Sequence, residues 1–284
     1  MAALATALAA AEARLNVVAS FSIVGDFARE VGGDRIALTT LVGPDGDSHV
    51  YRPTPDDVRR VGEARLVIIN GLGLEGWLPR LVSAAGNRAR IVTATDGIAP
   101  RRPAGQASHD VDPHAWQSVP DAKVYVANIR DALIAADPAG TAVYRSNAEA
   151  YLARLDDLDR EVRAAVERIP ASRRRVISTH DAFGYFADAY GIAFIAPQGV
   201  STDSEVSARD LAAIVRQVKA EAVPAVFLEN ISDPRLMRQI AAETGARIGG
   251  TLYSDSLTAE NGAAPTYIDL VRHNIKALTD ALAR

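Results

Sequence analysis

The 284-residue chain contains no cysteine, and this absence excludes several kinds of chemistry at once. Disulfides, thiol nucleophiles and thiolate metal ligands are all ruled out. An excess of basic residues is also missing, because the net charge is −4, so we expect no nucleic-acid partner. What is present, 48% hydrophobic and 23% charged residues, is typical of a globular protein with a substantial core. The length predicts one large or two medium domains.

The chain begins with a small, apolar, alanine-rich segment, Met1–Ala13, which is too short to span a bilayer. It is typical of the end of a secretory signal, with Ala11–Ala13 as a cleavage site, although the basic start of such a signal is missing. A frayed N-terminal helix is the alternative. No cysteine follows the apolar run, so we expect no lipid anchor. We therefore predict that residues 1–13 are a signal-peptide remnant and that the mature protein lies in a bacterial periplasm.

Apolar runs with the lengths of strands alternate with helix-like segments along most of the chain. The predicted strands are 15–20, 35–42, 65–70, 90–95, 175–179, 193–196, 225–228 and 247–252. The predicted helices that alternate with them are 22–31, 55–62, 76–85, 120–136, 182–190, 208–221, 234–244 and 265–282. Uninterrupted apolar strands are typical of parallel sheets buried on both faces. The alternation therefore predicts right-handed βαβ crossovers.

One segment, residues 137–169, has a different pattern, because its apolar residues recur at steps of three and four. Asp137 can cap a helix, Pro138 fits the first helical position and Pro170 ends the run. We predict one helix of roughly 45–50 Å; two helices broken near Gly140 are the alternative.

The predicted fold is α/β, with two (βα)4-type lobes of parallel sheet joined by that one long helix. The N-terminal metal-binding lobe comprises residues 14–136, the connecting helix residues 137–170, and the C-terminal metal-binding lobe residues 171–284.

Three histidines and one aspartate follow predicted strands. His49 lies in a loop rich in Gly, Pro and Asp, His114 follows the long loop 97–113, and His180 and Asp255 come after the first and last strands of the C-terminal lobe. Because ligands bind beyond the carboxyl ends of strands in open parallel sheets, we expect these four side chains to converge between the lobes. The remaining two histidines, in the long loop and in the last helix, are expected to lie outside the site.

Three imidazoles and a carboxylate suit Zn(II), which takes about four tetrahedral ligands. Such a set leaves no open position for water, which favours holding the metal over catalysis. Each residue also has a simpler interpretation, since loop histidines are usually exposed and Asp255 could cap a turn. A metal-dependent hydrolase is a further alternative and would need a general base such as Asp181 or Glu229.

Neighbouring residues are predicted to support this site. Asp47, Asp112 and Asp181 are candidates to orient the imidazoles by hydrogen bonds. Glu229 is either a reserve ligand or a structural hydrogen-bond acceptor. Trp116 is expected to pack beside the nearest candidate histidine.

Together these motifs resemble the zinc/manganese-specific solute-binding proteins of bacterial ABC transporters. The matching segments are Asp47–Tyr51, Pro53–Pro55, Asp112–Trp116, His180–Phe186 and Tyr253–Leu257. The resemblance covers nearly the whole chain and implies two α/β lobes, one connecting helix and a metal between the lobes. It places the family's metal ligands on His49, His114, His180 and Asp255.

The resemblance implies a high-affinity periplasmic receptor, not an enzyme, that delivers Zn(II) to an ABC-transporter membrane permease. Members that look manganese-specific tend to carry glutamate at the third ligand position, where this chain has His180, and nitrogen-rich ligation suits zinc. A manganese or iron receptor of the same fold is the alternative. Many zinc members carry a histidine-rich tract where the loop 97–113 has only His109. We therefore expect zinc delivery to rely on that loop or on a periplasmic zinc metallochaperone, and we expect a monomer.

Overall fold

The computed structural model describes residues 14–86, 88–103, 111–203 and 206–283. The predicted signal-peptide remnant and His109 lie outside these ranges. Within them the chain forms two four-stranded parallel sheets, each covered by helices. The predicted α/β class is therefore confirmed.

The first sheet and its helices form what we call the N-terminal lobe. Its strands are β1 Leu15–Phe21, β2 Ile36–Val42, β3 Leu66–Ile69 and β4 Arg90–Thr93. They lie in the order β2-β1-β3-β4, and every pairing is parallel. Its helices are α1 Ser22–Gly32, α2 Pro55–Glu63, α3 Leu78–Ala84 and α4 Val119–Ala136.

Helix α2 begins sharply after the loop that carries His49. The Thr54 hydroxyl accepts a hydrogen bond from the backbone N–H of Asp57, and the Asp57 carboxylate accepts one from the backbone N–H of Thr54. Pro55 occupies the first turn, where its missing N–H costs nothing. The Tyr51 hydroxyl donates to the same Asp57 carboxylate at 2.8 Å. This capping box fixes one end of the His49 loop.

A single long helix, α5 Thr141–Glu167, follows the N-terminal lobe, as predicted. Its 27 residues span about 40 Å. The helix starts later than expected because Pro138–Gly140 form a separate 3-10 turn. Asp137 does not cap it: the Asp137 carboxylate accepts hydrogen bonds from Arg35 and from the Tyr144 hydroxyl instead. The buried stripe of α5 consists of Tyr144, Ala148, Tyr151, Leu155, Leu158, Val162, Ala165 and Val166.

The second sheet and its helices form the C-terminal lobe. Its strands are β5 Arg175–Ile177, β6 Ala193–Ile195, β7 Ala225–Glu229 and β8 Arg247–Leu252. They lie in the order β6-β5-β7-β8, which repeats the order of the first sheet strand for strand. Its helices are α6 Gly184–Tyr190, α7 Ala208–Ala220, α8 Arg235–Thr244 and α9 Tyr267–Leu282. All eight predicted strands are present in the described chain, with ends within two residues of the prediction.

One hydrophobic core joins the two lobes, since it contains Val17 of the first sheet and Phe227 of the second. Phe27 on α1 is completely buried in this core, and its ring centroid lies 4.7 Å from that of Tyr267 on α9 and 6.3 Å from that of Tyr151 on α5. These tightly packed aromatic rings hold both lobes against the connecting helix. Across the described ranges, no helix combines the length and the apolar character that a bilayer crossing requires.

Candidate metal centre

The four predicted ligands, His49, His114, His180 and Asp255, meet in one place, with one potential ligand atom of each lying within 4.8 Å of the others. The Nε2 atom of His114 is 3.2 Å from that of His49 and 3.3 Å from that of His180. The Oδ2 atom of Asp255 is 3.1 Å from both His49 Nε2 and His180 Nε2. Four ligands at about 2.0–2.1 Å from a tetrahedral ion lie about 3.3 Å apart. The spacing therefore fits one small cation at the centre of the four.

Each of the four follows a strand at its carboxyl end. His49 follows β2, His114 precedes the 3-10 turn Ala115–Gln117 after β4, His180 comes three residues after β5, and Asp255 comes three residues after β8. Two therefore come from each lobe. This is the edge of a parallel sheet at which open α/β folds bind ligands.

The buried Asp255 carboxylate makes a cation at this position favourable. His114, His180 and Asp255 are completely buried. In the described part of the chain, the Asp255 carboxylate oxygens face only the three imidazoles, at 3.1–3.6 Å, and accept no hydrogen bond from any other group. An ionised carboxylate in the protein interior is very costly unless a positive charge lies beside it. The Asp255 side chain is therefore arranged to face a cation.

When no metal is bound, protons on the imidazoles supply that positive charge. Burial alone lowers the pKa of His114, but the Asp255 and Asp112 carboxylates outweigh it and raise this pKa to about 9. The pKa of His180 also rises well above its usual value, because Glu229 and Asp255 overcome the effect of burial. Burial raises the pKa of Asp255, but the two imidazoles lower it well below the usual range. A metal ion must therefore displace protons to bind.

The His114 ring is held by Asp112, as predicted. Its Nδ1 atom lies 2.8 Å from Asp112 Oδ1, and its backbone N–H donates to the same oxygen at 3.0 Å. With the proton on Nδ1, the lone pair of Nε2 faces the centre of the site. Trp116 packs beside this ring, with centroids 5.2 Å apart, and its indole N–H donates to the Ser254 carbonyl next to Asp255.

The His180 ring is held by Glu229, which is a hydrogen-bond acceptor and not a ligand in this arrangement. Glu229 Oε2 lies 2.6 Å from His180 Nδ1 and accepts the Ser254 hydroxyl at 2.9 Å. Glu229 Oε1 accepts the backbone N–H groups of Thr179 and His180. The prediction that Asp181 orients this imidazole is wrong, because Glu229 occupies Nδ1. The sequence signal was a carboxylate that ends a buried apolar strand.

The loop of His49 is braced from both lobes. Asp47 Oδ1 accepts the backbone N–H of His49 at 2.9 Å, and Asp47 Oδ2 accepts the Thr202 hydroxyl at 2.6 Å. Asp47 therefore supports the backbone and not the imidazole, which corrects the prediction. The Trp77 indole N–H donates to the Ser48 carbonyl at 2.9 Å. Of the four ligand candidates, His49 is the one that lines the adjoining cleft of about 640 Å³ between the lobes.

His273 lies outside the site, as predicted. Its Nε2–H donates to the Thr251 carbonyl at 2.9 Å, and its ring packs against Tyr253 with centroids 4.6 Å apart. These contacts give it a structural role on α9.

Comparison with known proteins places this arrangement in a family. The family model described as "Zinc-uptake complex component A periplasmic" matches residues 17–281. The chain is 34% identical over 271 residues to the manganese-binding lipoprotein MntA of Halalkalibacterium halodurans, covering 95% of this chain and 89% of that protein. It is 32% identical over 266 residues to the iron-binding protein YfeA of Yersinia pestis, covering 93% of this chain and 85% of that one.

Solved structures agree with the sequence comparison. The periplasmic zinc-binding protein TroA from Treponema pallidum superposes with a TM-score of 0.91 at 31% identity, covering 96% of this chain and all of that one. The manganese-bound periplasmic metal-binding protein from Candidatus Liberibacter asiaticus superposes with a TM-score of 0.86 at 30% identity, covering 94% and 99% of the two chains. The chain therefore belongs to the zinc-uptake component A family, the periplasmic metal-binding receptors of ABC transporters, which are not enzymes.

Proposed function

We propose that this protein is a high-affinity periplasmic receptor for Zn(II) that delivers the ion to an ABC-transporter permease. The observation that supports it most strongly is the ligand set of His49, His114, His180 and Asp255, whose nearest ligand atoms are 3.1–3.3 Å apart. Three neutral nitrogens and one carboxylate suit zinc, whereas manganese prefers more oxygen ligands.

A manganese or iron receptor is the second candidate, and two observations favour it. MntA and YfeA are named for manganese and iron, respectively. In addition, both oxygens of Asp255 approach the imidazoles, since Oδ1 lies 3.6 Å from His114 Nε2 while Oδ2 lies 3.1 Å from His180 Nε2. A bidentate Asp255 would give five ligands, which is closer to what manganese accepts.

Affinity measured on the pure protein cannot separate these candidates. Zinc binds most sites more tightly than manganese or iron(II), so a manganese receptor would also prefer zinc in a test tube. The decisive experiment is elemental analysis of the protein isolated from its native compartment. We expect about one zinc per chain, and H180A isolated in the same way should carry almost none. Manganese or iron as the predominant metal would contradict the proposal.

Release of the ion requires a change in the site, because a closed set of four ligands holds zinc tightly. We propose that docking to the permease distorts the set, that the receptor acts as a monomer, and that a periplasmic zinc metallochaperone supplies the ion. Light scattering of the zinc-loaded receptor should give the mass of one chain. Zinc transfer from a chaperone should be faster than capture of zinc from a small chelator of equal affinity; equal rates would argue against a chaperone.

A further inference from the structure

Arg101 connects the metal centre to the opposite lobe. It lies in the loop 97–113 that leads to His114, and its carbonyl accepts the backbone N–H of Asp112 at 2.9 Å. Its guanidinium contacts two carboxylates: Nη1 donates to Asp112 Oδ2 at 3.2 Å, and Nε donates to Asp188 Oδ2 at 2.9 Å. Asp112 is completely buried and belongs to the N-terminal lobe, whereas Asp188 lies on α6 of the C-terminal lobe.

The first turn of helix α6 packs closely against Arg101. The Tyr185 hydroxyl accepts the backbone N–H of Arg101 at 2.9 Å. A Cβ atom added to Gly184 would overlap Arg101 Nη1 and would lie 2.6 Å from Asp112 Oδ2. Only glycine leaves room for the guanidinium at the start of α6. Gly184, Tyr185 and Asp188, all within the first five residues of α6, therefore form the contact surface for Arg101.

These contacts form a continuous chain from one ligand to the segment that carries another. His114 Nδ1 contacts Asp112 Oδ1, Asp112 Oδ2 contacts Arg101, and Arg101 contacts α6, which starts four residues after His180. Arg101 is thus linked both to the carboxylate that orients His114 and to the helix that follows His180.

We propose that Arg101 is a positioning residue for metal binding: it fixes the Asp112 carboxylate and thereby holds the His114 imidazole in place relative to the ligand candidates of the C-terminal lobe. The proposal rests on the metal site proposed above but not on the choice of zinc. A planar guanidinium serves both carboxylates at once through Nε and Nη1, whereas a lysine ammonium on its flexible stem is a single point charge. Without Arg101, the buried Asp112 carboxylate loses a charged partner and can rotate away from the imidazole.

The test compares R101M and R101K with the native protein, using Zn(II) competition with a chromophoric chelator. We expect R101M to bind Zn(II) about 10–100-fold more weakly, as is usual when a residue supporting a metal ligand is lost. R101K should restore only part of the affinity. Thermal unfolding of the metal-free variants checks folding, and R101K, which keeps the charge, serves if R101M does not fold.

A double-mutant cycle with D112N tests whether Arg101 acts through Asp112. In the D112N background, R101M should change affinity by less than about twofold, because the linkage is already broken. The visible spectrum of bound Co(II), which reports ligand geometry, should change in R101M but not in a distant surface variant such as R130M. Affinity within about twofold of the native value with an unchanged Co(II) spectrum, or an equal loss in both backgrounds, would overturn the proposal. Native protein that binds no metal would contradict the proposed function instead.

Discussion

The two lobes have the same strand order, and each has a buried glutamate after or at the end of its third strand in chain order: Glu75 lies six residues after β3, and Glu229 is the last residue of β7. In the N-terminal lobe, Glu75 accepts the backbone N–H groups of Asn70 and Gly71. In the C-terminal lobe, Glu229 accepts those of Thr179 and His180. Both glutamates therefore tie together the backbone at the end of a strand. Glu229 differs because it also binds the His180 imidazole at 2.6 Å.

Two buried glutamates with similar backbone contacts therefore differ in whether an imidazole lies within hydrogen-bond distance. Burial raises the pKa of Glu75, although the backbone N–H groups of Asn70 and Gly71 donate to its carboxylate. In the N-terminal lobe, the first strand, β1, ends at Phe21, which packs against Trp116 with ring centroids 5.0 Å apart. In the C-terminal lobe, the chain after the corresponding strand β5 carries His180. A buried carboxylate becomes a support for a ligand where the neighbouring strand supplies an imidazole.

The largest effect should come from removing a ligand from either lobe. H180A and H49A should each lower zinc affinity by at least about a thousandfold, because a zinc ion loses one of its four ligands. The measurement is competition with a chelator, with metal-free thermal unfolding to show that the fold persists. H273A, which changes a histidine outside the site, should bind zinc normally. Native affinity in H180A or H49A would remove that residue from the site.

The matched pair E229Q and E75Q tests the comparison of the lobes directly. E229Q should weaken zinc binding about 10–100-fold. Its amide N–H₂ would face His180 Nδ1 and favour the tautomer with the proton on Nε2, the atom that must bind the metal. E75Q should leave zinc affinity unchanged and lower stability by about 1–3 kcal/mol, because the amide places a donor against a backbone N–H. Equal zinc affinity in the two variants would mean that the lobes do not differ in this respect.

The third prediction concerns pH and follows from the His114 pKa of about 9 in the absence of metal. Below that pH the imidazole carries a proton that the metal must displace. Zinc affinity should therefore fall as pH decreases from 9 to 6, by about tenfold per pH unit for each proton displaced. Calorimetry in buffers with different ionisation enthalpies should detect at least one proton released per zinc at pH 7. Constant affinity over this range would contradict the electrostatic description of the site.

The smallest effect concerns Asp26, a second buried acid that holds backbone and no imidazole. Its carboxylate accepts the N–H of Tyr267 at 2.9 Å, and burial raises its pKa to about 6. Because the folded state binds this proton more tightly than the unfolded chain does, Asp26 makes the protein less stable as pH rises from about 4 to 6. D26N should be more stable than the native protein by about 1–3 kcal/mol above pH 6 and similar below pH 4. Urea unfolding at both pH values measures this difference, and a D26N protein that is less stable at pH 8 would contradict it.

The order of elements and the convergence of the four ligand candidates could be predicted because both depend on local patterns. Buried parallel strands give apolar runs, and their carboxyl ends place following residues at one edge. The supporting acids were harder to assign. Asp112 lies two residues from the histidine it holds, but Glu229 is 49 residues from His180 in the chain. Asp47 has the same two-residue spacing as Asp112 and holds backbone instead, so spacing alone does not determine what a carboxylate contacts.

The most direct test of the account is the coordination of zinc in the loaded protein, determined by crystallography or by X-ray absorption. We predict one zinc bound by Nε2 of His49, His114 and His180 and by the Asp255 carboxylate, at about 2.0–2.2 Å, with no water ligand. Zinc bound elsewhere, or bound by three or fewer of these side chains with water completing the set, would contradict the claim that the two lobes close one site around the ion.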